Sequence, residues 1–291
     1  MRQRFLLVFN PTAGPKGRTL IGRVVAALRQ GGAEVTAFAP TPGRRVPGPD
    51  EVRSGRYDAV IAAGGDGTVR ELAKALSGSN VPIGFVPMGT GNVLAHEIGL
   101  PRDAEGLARV LREGPAVPLE GARANGEPFY LMAGAGFDGE VVHRLDMPTK
   151  RRVGKLAYAT PLLRTLALPL PVLEVTVDGQ SHRASWVIVA NARCYGGSFV
   201  LAPGAHMASG DLLAILVKTR TRAALVGKLM TLPLGRLTRQ RGVETLRCHR
   251  VAISSQTPVA TQIDGDPFGV TPLIIETGGA PLTLIVPPTA F

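Results

Sequence analysis

An apolar run that ends in a glycine-rich polar turn and reopens as a helix occurs three times in the first 118 residues, and this repetition restricts the fold more than any other feature. In the middle copy Tyr57-Asp58-Ala59-Val60-Ile61-Ala62-Ala63 reads as a buried strand and Gly64-Gly65-Asp66-Gly67-Thr68 as the turn. The following Val69-Arg70-Glu71-Leu72-Ala73-Lys74-Ala75-Leu76 places its apolar residues at helical spacing. The first copy passes from Phe5-Leu6-Leu7-Val8-Phe9 through Asn10-Pro11-Thr12-Ala13-Gly14-Pro15-Lys16-Gly17-Arg18 into a helix carrying Leu20, Ile21, Val24, Val25 and Leu28. The third passes from Ile83-Gly84-Phe85-Val86-Pro87 through Met88-Gly89-Thr90-Gly91-Asn92 into a helix over 93–98. Such turns cradle phosphate: without Cβ atoms the backbone N–H groups close on the oxygens, and the helix start adds partial positive charge. A plain strand-to-helix turn explains two glycines, whereas three interleaved with an acid and a hydroxyl favour phosphate. No copy is a P-loop, and none has the three spaced glycines of a dinucleotide fingerprint. Parallel sheets bind ligands at the carboxyl ends of their strands, so the three turns are expected to converge on one crevice.

The pattern changes near residue 119. Upstream, strands alternate with helices, as in a parallel α/β sheet. Downstream, short strand-like runs dominate, at 129–132, 173–177, 186–190, 212–217, 250–253 and 282–286. Asp178-Gly179 and Asp264-Gly265 are turn signals of antiparallel β structure. We therefore expect an α/β nucleotide-binding domain over 1–118 and a β-rich substrate domain over 119–291, whose final residues pack back on the first. A length of 291 residues suits two domains.

Composition removes several function classes. Mean hydropathy is high, +0.15, yet no run reaches the roughly 18 apolar residues of a membrane span. Met1-Arg2-Gln3-Arg4 before the apolar 5–9 run resembles a leader, but Asn10-Pro11 ends the run without a cleavage site, so a first strand is expected. Cys194 and Cys248 lack a partner motif and read as reduced, non-catalytic residues of a cytosolic protein. The five histidines do not cluster, so zinc is not expected. A net charge of +11 calls for an anionic partner. Aromatics at 5% without basic–aromatic interleaving argue against nucleic acid. An anionic membrane surface fits better: Lys218, Arg220, Arg222, Lys228, Arg236, Arg239 and Arg241 interleave with Leu225, Val226, Leu229, Met230, Leu232 and Leu234. A second stretch, Lys150-Arg151-Arg152-Val153-Gly154-Lys155, precedes an apolar segment with Leu162, Leu163, Leu166 and Leu170 on one face. The bland alternative for both is a core-packed helix with a solvated basic face.

Seven pieces, in order, carry a family resemblance: Asn10-Pro11-Thr12-Ala13-Gly14, Gly64-Gly65-Asp66-Gly67-Thr68, Gly89-Thr90-Gly91-Asn92, Gly134-Ala135-Gly136-Phe137-Asp138, Asn191 with Gly196-Gly197, Ala202-Pro203-Gly204-Ala205, and Asp264-Gly265-Asp266. Together they resemble the diacylglycerol kinase catalytic family, which also holds sphingosine and ceramide kinases and bacterial lipid kinases. The resemblance implies a Rossmann-like α/β lobe, an antiparallel β-rich lobe, and an active site in the cleft between them. It implies an ATP- and Mg²⁺-dependent lipid kinase acting from the cytoplasm on a lipid at the inner membrane face; a second copy of the chain, as a homodimer, stands as a candidate partner. The nucleotide-contacting set it implies is Asn10, Pro11, Thr12, Gly14, Thr41, Gly64, Gly65, Asp66, Gly67, Thr68, Gly89, Thr90 and Asn92. Asp66 would serve Mg²⁺, or else bind its own loop's N–H groups. Asp264 and Asp266 would be the general base and its support, in either order, where a plain hairpin turn is the structural alternative. Three positions depart from the pattern: Asp266 for the usual Glu, Val93 where many bacterial members have Asp, and Ser209-Gly210 for an Asp-Gly pair that holds a structural Mg²⁺. That metal is either absent or held by Asp211 with Ser209 and nearby carbonyls. A NAD kinase shares Gly-Gly-Asp-Gly but not the Asn-Pro-Thr-Ala-Gly start or the closing Asp-Gly-Asp. A non-catalytic nucleotide-binding regulator is the other alternative.

Overall fold

The computed structural model describes residues 1–9, 15–38, 40–41, 43, 46–146, 149 and 154–290. The chain divides into two compact units, Met1–Leu119 with Ala280–Phe291, and Glu120–Gly279.

The first unit begins with strand β1 (Arg4–Phe9), helix α1 (Pro15–Gln30), β2 (Glu34–Phe38), α2 (Pro49–Ser54) and β3 (Ala59–Gly64). It continues with α3 (Asp66–Ala75), β4 (Ile83–Pro87), α4 (Val93–Glu97), α5 (Ala104–Glu113) and β5 (Ala116–Leu119). Strands β2, β1, β3 and β4 lie side by side in parallel. Every residue of β3 is buried, as expected of a parallel strand covered on both faces. Phe5, Leu7, Ile61 and Val86 of the sheet pack with Val24 and Leu28 of α1 and Leu107 and Leu111 of α5. The order 2-1-3-4 reverses direction between β1 and β3, so the carboxyl ends of these strands flank a topological switch point, where open α/β sheets bind ligands.

The second unit opens with β6 (Ala122–Ala124), β7 (Glu127–Phe129), β8 (Met132–Ala135), α6 (Phe137–His143) and α7 (Ala159–Leu166). Then come β9 (Leu173–Val177), β10 (Gln180–Ala184), β11 (Trp186–Ala190), the short pair β12 (Cys194–Tyr195) and β13 (Phe199–Val200), β14 (Leu212–Val217) and α8 (Arg222–Leu229). It closes with β15 (Val243–Cys248), β16 (Arg250–Ser254), β17 (Ala260–Ile263), β18 (Asp266–Val270) and β19 (Leu273–Thr277). Two six-stranded antiparallel sheets result, ordered β10-β9-β16-β19-β6-β7 and β15-β14-β11-β8-β17-β18. Their facing residues, among them Phe129, Val175, Val187, Val189, Val251 and Ile275, form one apolar core. Three hairpins turn on Asn125-Gly126, Asp178-Gly179 and Asp264-Gly265, each with both residues at positive φ, the two-residue turn that matches the twist of paired strands.

One run falls elsewhere than its neighbours in sequence. The last strand, β20 (Leu282–Ile285), pairs parallel to β4 and antiparallel to β5, making the first unit's sheet mixed. A four-residue apolar run carries no signal for which strands it joins. Cys194 and Cys248 are buried free thiols, and burial pushes Cys248 up to about 12, so it is inert at neutral pH. Among the described residues no helix is long and apolar enough to cross a membrane.

Candidate active site

The first unit locks two of its glycine turns together. β3 ends at Gly64, Gly65 is the extended N-cap, and α3 starts at Asp66 rather than at Val69 as the apolar spacing implied. The Asp66 carboxylate accepts the N–H of Val93 at 3.0 Å and of Leu94 at 2.9 Å. It therefore caps α4, the helix of the next turn. The two turns also touch: a Cβ on Gly89 would stand 2.9 Å from Gly65 Cα and 2.7 Å from Asn92 Oδ1, so only glycine fits. Asn92 sits in the left-handed region with φ 47° and donates from Nδ2 to Gly89 O at 2.8 Å. Its Oδ1 is buried without a hydrogen-bond partner. A Cβ on Gly64 would lie 2.2 Å from Thr68 Oγ1, which places that hydroxyl against the turn. Gly67, Thr68 and Thr90 are partly exposed and Thr41 is exposed. Asn10, Pro11, Thr12 and Gly14 lie outside the described residues. Gly89→Ala is expected to cost about 1–3 kcal/mol by overpacking backbone on backbone. Thermal melts with an ATP titration check this; unchanged stability and affinity would mean that the two turns separate freely.

In the second unit Asp264 and Gly265 form the hairpin turn between β17 and β18, with φ 49° and 81°. The hairpin and the site reading thus coincide in one element. The Asp264 carboxylate accepts the N–H of Leu131 at 2.8 Å, of Met132 at 3.2 Å and of Tyr130 at 3.2 Å. Asn191 grips the same segment, donating from Nδ2 to Tyr130 O and to Glu120 O, both at 2.8 Å. The Tyr130 hydroxyl is buried with no partner, and burial, with the charge of Asp264 adding to it, pushes its pKa well up. Asp266, half-buried, opens β18 opposite Ile263. Asp264 is thus engaged with backbone, and Asp266 is the member of the pair that the turn presents at a strand start.

Asp138 belongs to a motif that the sequence reading matched without assigning it a role. It is buried on α6, where Oδ1 accepts Gly139 N–H at 2.9 Å and Trp186 Nε1–H at 3.0 Å, and Oδ2 accepts Gln262 Nε2–H at 2.9 Å. The motif glycines permit this by close backbone approach: a Cβ on Gly139 would meet Ala260 O at 2.2 Å and one on Gly134 would meet Val187 O at 2.4 Å. Desolvation raises the Asp138 pKa to about 6 against opposing hydrogen bonds, the largest from Gln262. With the folded value above the unfolded one, its contribution to stability is full below 3.8 and is lost as pH rises through about 6.

Ser209 and Asp211 are together, and the cation beside them belongs to the protein. Ser209 Oγ donates to His206 O at 2.7 Å and to the Asp211 carboxylate. Arg247 donates from Nη1 to Asp211 Oδ2 at 2.5 Å and from Nη2 to Gly204 O at 3.1 Å. The Ser209 hydrogen bond, with the Arg247 guanidinium, holds Asp211 below the usual carboxylate range. A guanidinium joining a loop carbonyl to a loop carboxylate fills the place of a metal, so this donor set does not fit a structural Mg²⁺. Among the described residues no three His, Cys, Asp or Glu side chains gather as a metal site.

An α/β unit with glycine turns beside a switch point, and a β-sandwich unit with a carboxylate hairpin, match the two-domain plan expected from the sequence. The diacylglycerol kinase catalytic domain model matches residues 4–124, and the YegS C-terminal NAD kinase beta sandwich-like domain model matches residues 132–286. The chain belongs to the diacylglycerol kinase family. It is 27% identical to the diacylglycerol kinase of Bacillus subtilis, over 93% of this chain and 92% of that one. It is also 27% identical to a Staphylococcus aureus diacylglycerol kinase, over 94% and 89% of the two chains. The crystal structure of a diacylglycerol kinase from Bacillus anthracis str. Sterne shares the fold, with a TM-score of 0.71 at 19% identity over 100% of this chain and 99% of that one.

Proposed function

We propose that the protein transfers the γ-phosphoryl group of ATP to a hydroxyl of a lipid such as diacylglycerol. The observation that carries this reading is the pair of glycine turns after β3 and β4, pinned at two helix starts through Asp66 beside the switch point. Phosphoryl transfer needs positioning, neutralisation of charge and an acceptor for the hydroxyl proton. Backbone N–H groups of the turns at 65–67 and 89–92, with the Thr68 and Thr90 hydroxyls, supply donors for phosphate oxygens. The orphaned Asn92 Oδ1 is an acceptor suited to a nucleotide donor or a coordinated water. We assign Asp66, whose two oxygens each accept a backbone N–H, as the carboxylate that would help to hold a hydrated Mg²⁺ beside the phosphates. When bound, such an ion would supply charge neutralisation to the transferred phosphate. Asp266 takes the acceptor hydroxyl's proton, and Asp264 holds the 130–132 segment against the turn. ADP release measured with ATP, Mg²⁺ and either lipid micelles or NAD separates the readings. Lipid-dependent release supports this one, whereas NAD-dependent or acceptor-independent release contradicts it.

A lipid acceptor places the enzyme at a membrane surface, and the second unit has side chains suited to it. Helix α7 buries only Pro161 and Thr165 and leaves Leu163 67% exposed. Helix α8 buries Leu225, while Met230 and Leu234, just beyond it, are 72% and 66% exposed. Arg220, Arg222, Arg236, Arg239 and Arg241 are exposed, whereas Lys218 pairs with Glu244 at 2.5 Å. Lys150, Arg151, Arg152 and Val153 lie outside the described residues. Neutralising Arg236, Arg239 and Arg241 together is expected to weaken binding to anionic vesicles, at about 1 kcal/mol for each engaged charge, and to leave ATP affinity unchanged. Co-sedimentation at two salt concentrations tests this; equal pelleting with neutral and anionic vesicles would contradict it.

A further inference from the structure

A hydrogen-bonded chain runs from the lone tryptophan, Trp186, to the hairpin that carries Asp266, and phosphoryl transfer as described above leaves it without a task. Gly265 N–H can only donate, so the Gln262 atom facing it at 2.9 Å is Oε1. The other end of that amide, Nε2, then faces Asp138 Oδ2 at 2.9 Å, while Trp186 and Gly139 fix Oδ1. A carboxamide keeps a single orientation when one neighbour only accepts and the other only donates, which is the case here. Asp138 is 4% and Gln262 1% exposed, so water has little access to replace either link. The turn at the far end holds a non-glycine residue, Asp264, at φ 49°. The turn is anchored on one side by the Asp264 carboxylate and on the other by Gly265 N–H.

We propose that Asp138, acting through Gln262, is the positioning residue for the Asp264-Gly265-Asp266 turn: it orients the Gln262 amide so that Oε1 holds Gly265 N–H and thereby sets the aim of Asp266. The proposal rests on Asp266 as the base. It distinguishes Asp138 from an ordinary buried acid, because what matters is the direction of hydrogen bonding and not only the filling of space.

The test is a reversal of that direction. Asp138→Asn keeps the shape but turns a donor toward Gln262; the Gln262 amide must flip, and its NH₂ then confronts Gly265 N–H. Adding Gln262→Glu restores an acceptor at both ends, one oxygen for the amide donor introduced at position 138 and the other for Gly265 N–H. Asp138→Asn is expected to lower kcat by about 10–100-fold with ATP affinity unchanged, as misaimed catalytic groups do. Hydrogen exchange at Gly265 should quicken in parallel. The double variant should regain most of both. Gln262→Met, which cuts the chain without changing its bulk, carries the same expectation and stands in if Asp138→Asn does not fold. The proposal is overturned if folded Asp138→Asn and Gln262→Met keep wild-type turnover and Gly265 protection, or if the double variant is no better than Asp138→Asn. Should the wild type phosphorylate no lipid, the functional reading fails, and exchange at Gly265 still decides whether the relay holds the turn.

Discussion

Asp266→Asn is expected to lower lipid-dependent turnover by at least about 10²-fold, the scale of general-base catalysis, with little change in ATP affinity or in melting temperature. The carboxylate acts on the acceptor hydroxyl, whereas the nucleotide donors lie in the first unit. Asp264→Asn should differ in kind. Its side chain accepts three backbone N–H groups from residues 130–132, and an amide there loses one acceptor oxygen and gains a donor that faces donors. The loss then appears in stability as well as in rate, because buried unmet donors cost about 1–3 kcal/mol. Parallel measurement of kcat, ATP affinity and thermal midpoint on the two variants decides between them. Full activity in Asp266→Asn would remove it as the base. A stability loss in Asp266→Asn with none in Asp264→Asn would invert the two roles.

Asp66→Ala carries the second large effect, in two separable parts. Removal of the carboxylate from the phosphate cradle should lower turnover by at least about 10²-fold, or roughly 3 kcal/mol in the barrier. The same change uncaps α4 by freeing the Val93 and Leu94 N–H groups. Loss of a cap costs about 1 kcal/mol of stability. From sequence alone the turn reads as a surface feature whose charge can be lost without touching the fold; the reach across to α4 shows otherwise. Melting curves and turnover at saturating ATP and Mg²⁺ check both parts. Wild-type turnover would contradict the cradle, and an unchanged melting temperature would contradict the cap.

Much of the fold was legible because its signals are local. The runs at 173–177, 186–190 and 212–217 are strands over those same residues, since apolar β-formers bounded by turn residues leave little choice of boundary. Asp178-Gly179 and Asp264-Gly265 were legible as turns for the same reason: the left-handed pair they form depends on the two residues themselves. Pairings across long stretches of chain were not legible. Asp66 meets residues 93–94, Asp264 meets 130–132, Arg247 meets Asp211, and Asp138 meets Gln262. None of these partners has a periodicity or spacing that a single sequence displays. Asp138 in particular reads as one polar residue in a glycine-rich motif, and only its burial between Trp186 and Gln262 makes it notable. The place of Leu282–Ile285 within a sheet was not legible either, because its position between β4 and β5 is decided by contacts and not by the apolar run.

The central claim is transfer of a phosphoryl group from ATP to a lipid hydroxyl, and the most direct measurement follows the phosphorus itself. Purified protein is incubated with Mg²⁺, diacylglycerol in mixed micelles, and ATP whose terminal non-bridging oxygens carry a heavy isotope, and the extracted lipid is weighed by mass spectrometry. The account predicts a phosphorylated lipid bearing the labelled oxygens in amounts equal to the ADP formed, absent with Asp266→Asn. Unmodified lipid, with the label recovered in inorganic phosphate or in a water-soluble acceptor, would contradict it.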